Sequence, residues 1–191
     1  MIATILLPSR SRLPMLQQAI RSILSTAYGR DFQIIVRLDD DDKDTLVNVV
    51  SLLQSPCVKV VTRPRGGGWE DLDNGKLLMS LWPFVTGTWF AIAQDDIVLS
   101  GQGWDAKLSQ IPTVGYWACP EYHKLNQSVY PEDPRCCLPF VPRDALDFEH
   151  VPIKSFDDGV VKALIAKGWR PAFLPGITVA HNWGGIQARP K

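Results

Sequence analysis

Between residues 2 and 99, short apolar runs rich in β-branched and aromatic residues alternate with stretches of helical periodicity, and this alternation restricts the fold more than any other feature. Ile2–Leu7, Gln33–Leu38, Cys57–Thr62 and Trp89–Leu99 read as strands, with Pro8 expected to stop the first. Between the first two, Leu13, Leu16, Ala19, Ile20, Ile23 and Leu24 recur at the spacing of one helix face, with Ser11 and Pro14 as start signals. Leu46, Val49, Val50 and Leu53 mark a second helix, and Leu78, Leu81, Trp82 and Val85 a third. Strand–helix–strand units of this kind build an α/β fold: a mostly parallel central sheet, right-handed crossovers and helices on both faces.

The pattern loosens after Trp104. Val114–Ala118 reads as a strand, whereas Cys119–Arg143 holds five prolines and few periodic positions, which predicts a long functional loop or lid. Gly159–Lys167 reads as a helix led by Ser155, Phe156, Asp157 and Asp158, and Ile177–His181 as a last strand. No repeat or linker divides the chain. Its 191 residues, 46% hydrophobic, suffice for one core, so residues 1–191 are expected to form a single domain.

Twenty basic residues balance twenty acidic ones. Zero net charge argues against nucleic acid as a partner bound by bulk electrostatics. Cys57, Cys119, Cys136 and Cys137 show no metal-ligand spacing and read as reduced thiols. The opening MIATILLPSRSR has too short an apolar run for a signal peptide, and no segment reaches the length of a transmembrane helix; a cytoplasmic location is expected.

Chemistry in an open α/β sheet gathers at the carboxyl ends of the strands. Ser9-Arg10-Ser11-Arg12, Asp39 to Asp44, Arg63-Pro64-Arg65, Asp95-Asp96 and His181 all stand at such ends. Adjacent carboxylates at the edge of a core repel each other and are costly unless a cation or strong donors compensate. A solvated Asp-Asp turn is the alternative, but the other charged strand ends favour a site. Acids after two strands and arginines after two others suit a nucleotide, the acids holding ribose, base or metal and the arginines phosphate. Known phosphate loops are absent. There is no GxGxxG, and Gly75-Lys76 resembles the end of a P-loop with Glu70 in place of its first glycine. The run from Asp40 fails as a calcium loop, with Thr45 where the turn glycine belongs.

At these residues the chain resembles the GT-A-fold glycosyltransferases, in particular family-2-like nucleotide-sugar transferases, a Rossmann-like single domain. LLPSRSRLPMLQQAIRSIL resembles the family's first strand and turn, which implies nucleotide contacts at Pro8, Ser9, Arg10 and Arg12. IIVRLDDDDKDT resembles the strand ending in paired acids, implying that Asp39 or Asp40 contacts the base, with uracil the common case. IAQDDIVL resembles the metal-binding DxD segment, although Ala93 or Gln94 replaces its first Asp. The resemblance then implies Asp96 as metal ligand and Asp95 as a ribose or indirect metal contact. Phe156-Asp157-Asp158 is similar to the segment that carries the general base of inverting members, which implies Asp158 as base and Asp157 beside it. Thr178-Val179-Ala180-His181 is similar to the strand whose histidine completes some metal sites, and Gly103-Trp104-Asp105 to a segment just past the DxD. Lys76 is a further phosphate candidate.

The resemblance thus implies a metal-dependent enzyme, with Mn2+ or Mg2+ as cofactor. It would move a sugar from a nucleotide-diphosphate donor, UDP-linked, to a carbohydrate or other hydroxyl acceptor. Blander readings stand beside it. His181 can be a satisfied structural histidine, and Asp157-Asp158 an N-cap pair. Trp82, Trp89 and Trp169 read as core, while Trp104, Trp117 and Trp183 are expected near the rim, where aromatics stack on sugars. A sugar nucleotidyltransferase is the rival enzyme, but it needs a glycine-rich first turn that LLPSRSRLP lacks. A non-catalytic nucleotide-sugar or carbohydrate-binding module is the rival from another class.

Overall fold

A computed structural model describes residues 1–49, 54–64, 80–122, 138–145 and 156–181. In chain order the elements are β1 (Ala3–Ser9), α1 (Leu13–Thr26), β2 (Phe32–Asp39), α2 (Lys43–Asn48), β3 (Val58–Arg63), a 3-10 turn (Trp82–Phe84), β4 (Trp89–Ile92) and β5 (Ile97–Ser100). Then follow α3 (Trp104–Leu108), β6 (Tyr116–Tyr122), β7 (Val141–Pro142), α4 (Phe156–Ala166) and β8 (Arg170–His181). The larger sheet has the order β3-β2-β1-β4-β7; its first three pairings are parallel and β4–β7 is antiparallel. A smaller sheet has the order β5-β8-β6, and paired N–H···O bonds between Ala118 and Phe140 join the two.

Alternation along each strand assigns its side chains to two cores. Ile5, Leu7, Ile34, Val36 and Ala91 face α1, where Leu16, Ala19, Ile20 and Ile23 form the buried stripe. Leu6, Ile35, Phe90 and Ile92 face the other way, onto Val160, Val161 and Leu164 of α4. Helices therefore cover both faces, as the alternation of the sequence requires. Each fully buried Leu or Ile of α1 contributes about 1.5–3 kcal/mol of transfer free energy. Ser22 of α1 also accepts a hydrogen bond from the Leu99 amide at 3.0 Å, fixing the helix to β5.

Several expectations shift. Pro8 does not end β1 but lies within it, paired with Arg37. Leu6 O accepts from Ala93 N, so by the two-residue period Pro8 turns its missing donor towards the β4 side, where the ladder has already ended at Leu6–Ile92. The run Trp89–Leu99 is not one strand; β4 and β5 belong to different sheets. The loop expected at Cys119–Arg143 begins later, since β6 runs to Tyr122, and β7 occupies Val141–Pro142; residues 123–137 lie outside the described residues. Of the third expected helix, Ser80 and Leu81 are helical and lead into the 3-10 turn Trp82–Phe84, while residues 65–79 lie outside the described residues. The last strand starts at Arg170, not Ile177. Cys57 and Cys119 are buried free thiols, and no described helix is long and apolar enough to cross a membrane.

Candidate functional site

The carboxyl ends of β1, β2 and β4 meet at one rim because the strands are parallel neighbours. Past Ser9 the chain turns through Ser11, whose φ of 53° is left-handed. Asp42 holds this turn: its Oδ2 accepts the Ser11 amide at 2.7 Å, and its Oδ1 accepts Thr45 N at 3.4 Å as the cap of α2. Asp42 is therefore buried, not a solvated turn residue.

Two clusters of charge occupy the rim. In the first, Arg12 forks across the acid pair, with Nη1 2.8 Å from Asp95 Oδ1 and Nη2 2.9 Å from Asp96 Oδ2. Ser9 Oγ donates to the other oxygen of Asp95 at 2.6 Å. Burial pushes the Asp95 carboxyl above its ordinary value; the Ser9 hydrogen bond and the Arg12 charge oppose the rise, and Asp96 adds to it. In the second cluster Asp39 takes Arg10 Nη1 at 2.8 Å on Oδ2 and Arg37 Nη1 at 2.7 Å on Oδ1. Arg10 also pairs with Asp41, through both terminal nitrogens, and these bonds to Asp41 and Asp39 hold its guanidinium above the ordinary arginine value. Arg37 Nη2 donates to Pro64 O at 3.1 Å. With both its oxygens engaged by arginines, Asp39 is bound into the rim, whereas the neighbouring Asp40 is exposed.

The remaining sequence candidates distribute as follows. Pro8 lies in β1 beside the first cluster. Asp157 and Asp158 are the second and third residues of α4, inside its first turn and not at its cap. His181 is the last residue of β8, and its register partner is Ile97, the residue directly after Asp96. Lys76 and Trp183 lie outside the described residues. Among the described residues no three His, Cys, Asp or Glu side chains cluster as a metal centre would. A cleft of about 390 Å³ bounded in part by Thr88, Thr113, Arg143 and Trp169 sits at the amino end of β4, away from these acids.

Sequence reasoning missed Arg37, although Arg37 and Asp39 share one face of β2 by the two-residue period. Two aromatic expectations fail. Trp104 and Trp117 are fully enclosed in the core. Trp104 stacks on Phe140 and donates from Nε1 to Ile23 O at 3.1 Å. Its neighbour Asp105 accepts the amides of Tyr28 and Gly29 at 2.9 and 2.7 Å, so this segment latches the end of α1. Trp89 is buried, and Trp82 and Trp169 are partly buried against the core.

No protein-family model matches the sequence, and no curated protein does either. Solved structures match the fold. A mannosyltransferase from Pyrobaculum calidifontis, PcManGT, in complex with GDP-Man and Mn2+, aligns with TM-score 0.66 and 16% identity over 94% of this chain. The fold is that of the GT-A glycosyltransferases. S. aureus TarS 1-349 aligns with TM-score 0.66 and 12% identity over 93% of the chain. GalNAc-T7 with UDP, GalNAc and Mn2+ aligns with TM-score 0.64 and 13% identity over 94%. The chain spans 56%, 60% and 43% of the lengths of those three, about half of each. In this GT-A frame the rim that carries Ser9, Arg12, Asp39, Asp95 and Asp96 is the carboxyl edge of the parallel strands, the edge at which α/β sheets take ligands.

Proposed function

We propose that the chain is a glycosyltransferase that takes a nucleotide-diphosphate sugar, UDP-linked, and passes the sugar to an acceptor hydroxyl with inversion. The observation that carries the reading is the coincidence of a GT-A fold with a charged rim at the carboxyl ends of β1, β2 and β4. Its structural neighbours include TarS in complex with UDP-GlcNAc and proteins solved with Mn2+ beside GDP-Man or UDP.

The donor set suits a divalent ion. Asp95 and Asp96 supply adjacent, largely buried carboxylate oxygens, the ligand type that Mg2+ and Mn2+ select. His181 follows at the register position opposite Ile97. Asp96 and His181 are the residues that would hold the ion, with Asp95 on the ribose or supporting Asp96. When bound, such an ion would neutralise charge on the leaving diphosphate.

The chain's own residues would do the rest. Arg10 and Asp40 would meet the base, and Arg12 and Lys76 the phosphates, because a guanidinium fork matches phosphate oxygens. Pro8 and Ser9 would shape the wall beside the ribose. Asp158, in the first turn of α4, would accept the acceptor's hydroxyl proton, and Asp157 would orient that hydroxyl. A helix N-terminus favours the ionised carboxylate that a base requires.

Donor hydrolysis and UDP release, measured over a panel of nucleotide sugars with Mn2+ or Mg2+, test the reading. Turnover of one donor is expected. Binding of a nucleotide sugar without turnover, acceptors included, would make the chain a binding module. No binding of any nucleotide would overturn the assignment.

A further inference from the structure

We infer that Arg12 is a resident counter-ion of the Asp95–Asp96 pair that exchanges onto the donor's diphosphate, so that divalent metal and nucleotide diphosphate bind interdependently. This inference rests on the metal-dependent reading above and adds a role for one residue.

The geometry is that of a cation already in place. One guanidinium spans two adjacent carboxylates at 2.8 and 2.9 Å, and it touches one oxygen of each. Asp95 is held from behind by Ser9, so the acid side of the contact is fixed. The arginine side is not enclosed to the same degree. The Arg12 side chain is 26% exposed, against 6% for Asp95 and 11% for Asp96. Its backbone is anchored, since Arg12 O accepts Leu16 N at 3.0 Å to open α1, and beside the two acids its Nη2 meets the weak acceptor Met15 Sδ at 3.0 Å.

Electrostatics then sets the order of events. A divalent ion on these oxygens beside an unmoved Arg12 would put like charges in contact where water screens them poorly. Metal alone must therefore expel Arg12 into solvent with no new partner. Diphosphate alone must draw Arg12 away and leave two buried carboxylates uncompensated, which is costly. Together the ligands remove both penalties: the acids receive the ion, and Arg12 receives phosphate oxygens that fit its fork. Coupling of this kind is reciprocal by necessity.

Calorimetry on the whole chain tests it with Mn2+ alone, UDP alone, and each in the presence of the other. For the wild type, Mn2+ should tighten by roughly 5–150-fold when UDP is present, and UDP by the same factor when Mn2+ is present. In Arg12→Gln, Mn2+ alone should bind more tightly than to the wild type, by about tenfold, and the coupling should shrink. A residue that only held the fold or only touched phosphate would not strengthen metal binding when removed. Thermal unfolding checks that the variant is folded. Should it not fold, Arg12→Met keeps the apolar stem without the charge, and there too Mn2+ alone should bind more tightly than to the wild type. Unchanged or weaker Mn2+ binding in the folded variants, with wild-type Mn2+–UDP binding intact, overturns the inference and leaves the glycosyltransferase reading standing. A wild type that binds no UDP at any Mn2+ concentration overturns both.

Discussion

Ser9 Oγ donates to Asp95 Oδ2 at 2.6 Å across a sequence separation of 86 residues, tying the end of β1 to the turn after β4. The acceptor is a buried carboxylate, so the bond is of the stronger, charge-assisted kind. Ser9→Ala should lower stability by about 1.5–3 kcal/mol, read from urea unfolding, and Ser9→Thr by less because the hydroxyl remains. A loss within about 0.5 kcal/mol for the alanine variant, the range of an inconsequential surface change, would remove Ser9 from the support of the acid pair.

The raised Asp95 carboxyl has a signed consequence. A group whose native value lies above its unfolded one binds its proton more tightly when folded. Its contribution therefore favours the native state at low pH and is lost as pH rises from the ordinary Asp value, about 3.9, through the native one. With a chelator present, wild-type stability should fall relative to that of Asp95→Asn across this window. A difference that grows with pH in the opposite sense would mean that pairing with Ser9 and Arg12 outweighs burial.

Asp39 and Asp40 are adjacent but should behave differently. Asp39→Ala strips a buried arginine, Arg37, of its carboxylate and should cost about 3–5 kcal/mol in unfolding experiments. Asp40→Ala, at an exposed position, should stay within about 0.5 kcal/mol and yet weaken uridine binding without metal. Equal, small effects on both measurements at both positions would reduce the acids after β2 to a charged loop.

Asp96→Asn removes one charge with little change of shape. UDP affinity measured with Mn2+ should drop at least tenfold, while the melting temperature changes little. Affinity untouched by the substitution, and untouched by chelator in the wild type, would sink the metal assignment.

A general base acts mainly in the transition state, which separates binding from chemistry. Asp158→Asn should retain donor affinity and lose about 10²–10⁴-fold in transfer rate, with Asp157→Asn milder. Near-wild-type transfer by Asp158→Asn beside an inactive Asp157→Asn would move the base by one residue. Full activity in both would remove the inverting mechanism.

The first half of the fold was legible because its strands and its longest helix obey simple periods. β1, β2, β3 and α1 fall within one or two residues of their expected limits. The break between β4 and β5 was hidden because both pieces are apolar and a run of apolar residues does not reveal a change of sheet. β8 was shortened in the reading by Pro171, Pro175 and Gly176, which look like loop. Pro171 pairs in register with Trp117, and Pro175 and Gly176 are absorbed where the register shifts against β6 between Pro120 and Glu121, with Gly176 at φ 68°. At the rim, the charged residues were visible but their pairings were not. That Arg12 reaches Asp95 and Asp96, or that Asp42 faces inward to Ser11, depends on contacts between distant segments, about which a single sequence carries no local signal. Tryptophans beside a rim also look alike whether they face solvent or, as with Trp104, the core.

The division between β4 and β5 bears on what kind of change the acid pair can survive. β4 is locked to β1 on one side of residues 93–96, and β5 is locked to β8 on the other. The length of this connector is thus fixed from both ends. Removing or adding one residue there would force one ladder to slip and turn its alternate side chains inside out. Substitutions at Asp95 and Asp96 can be tolerated as losses of charge, but insertions and deletions between Ile92 and Ile97 should be met with misfolding. In a mutational library scored for folding, Asp95 and Asp96 would stand out as tolerant of asparagine and intolerant of a change in length.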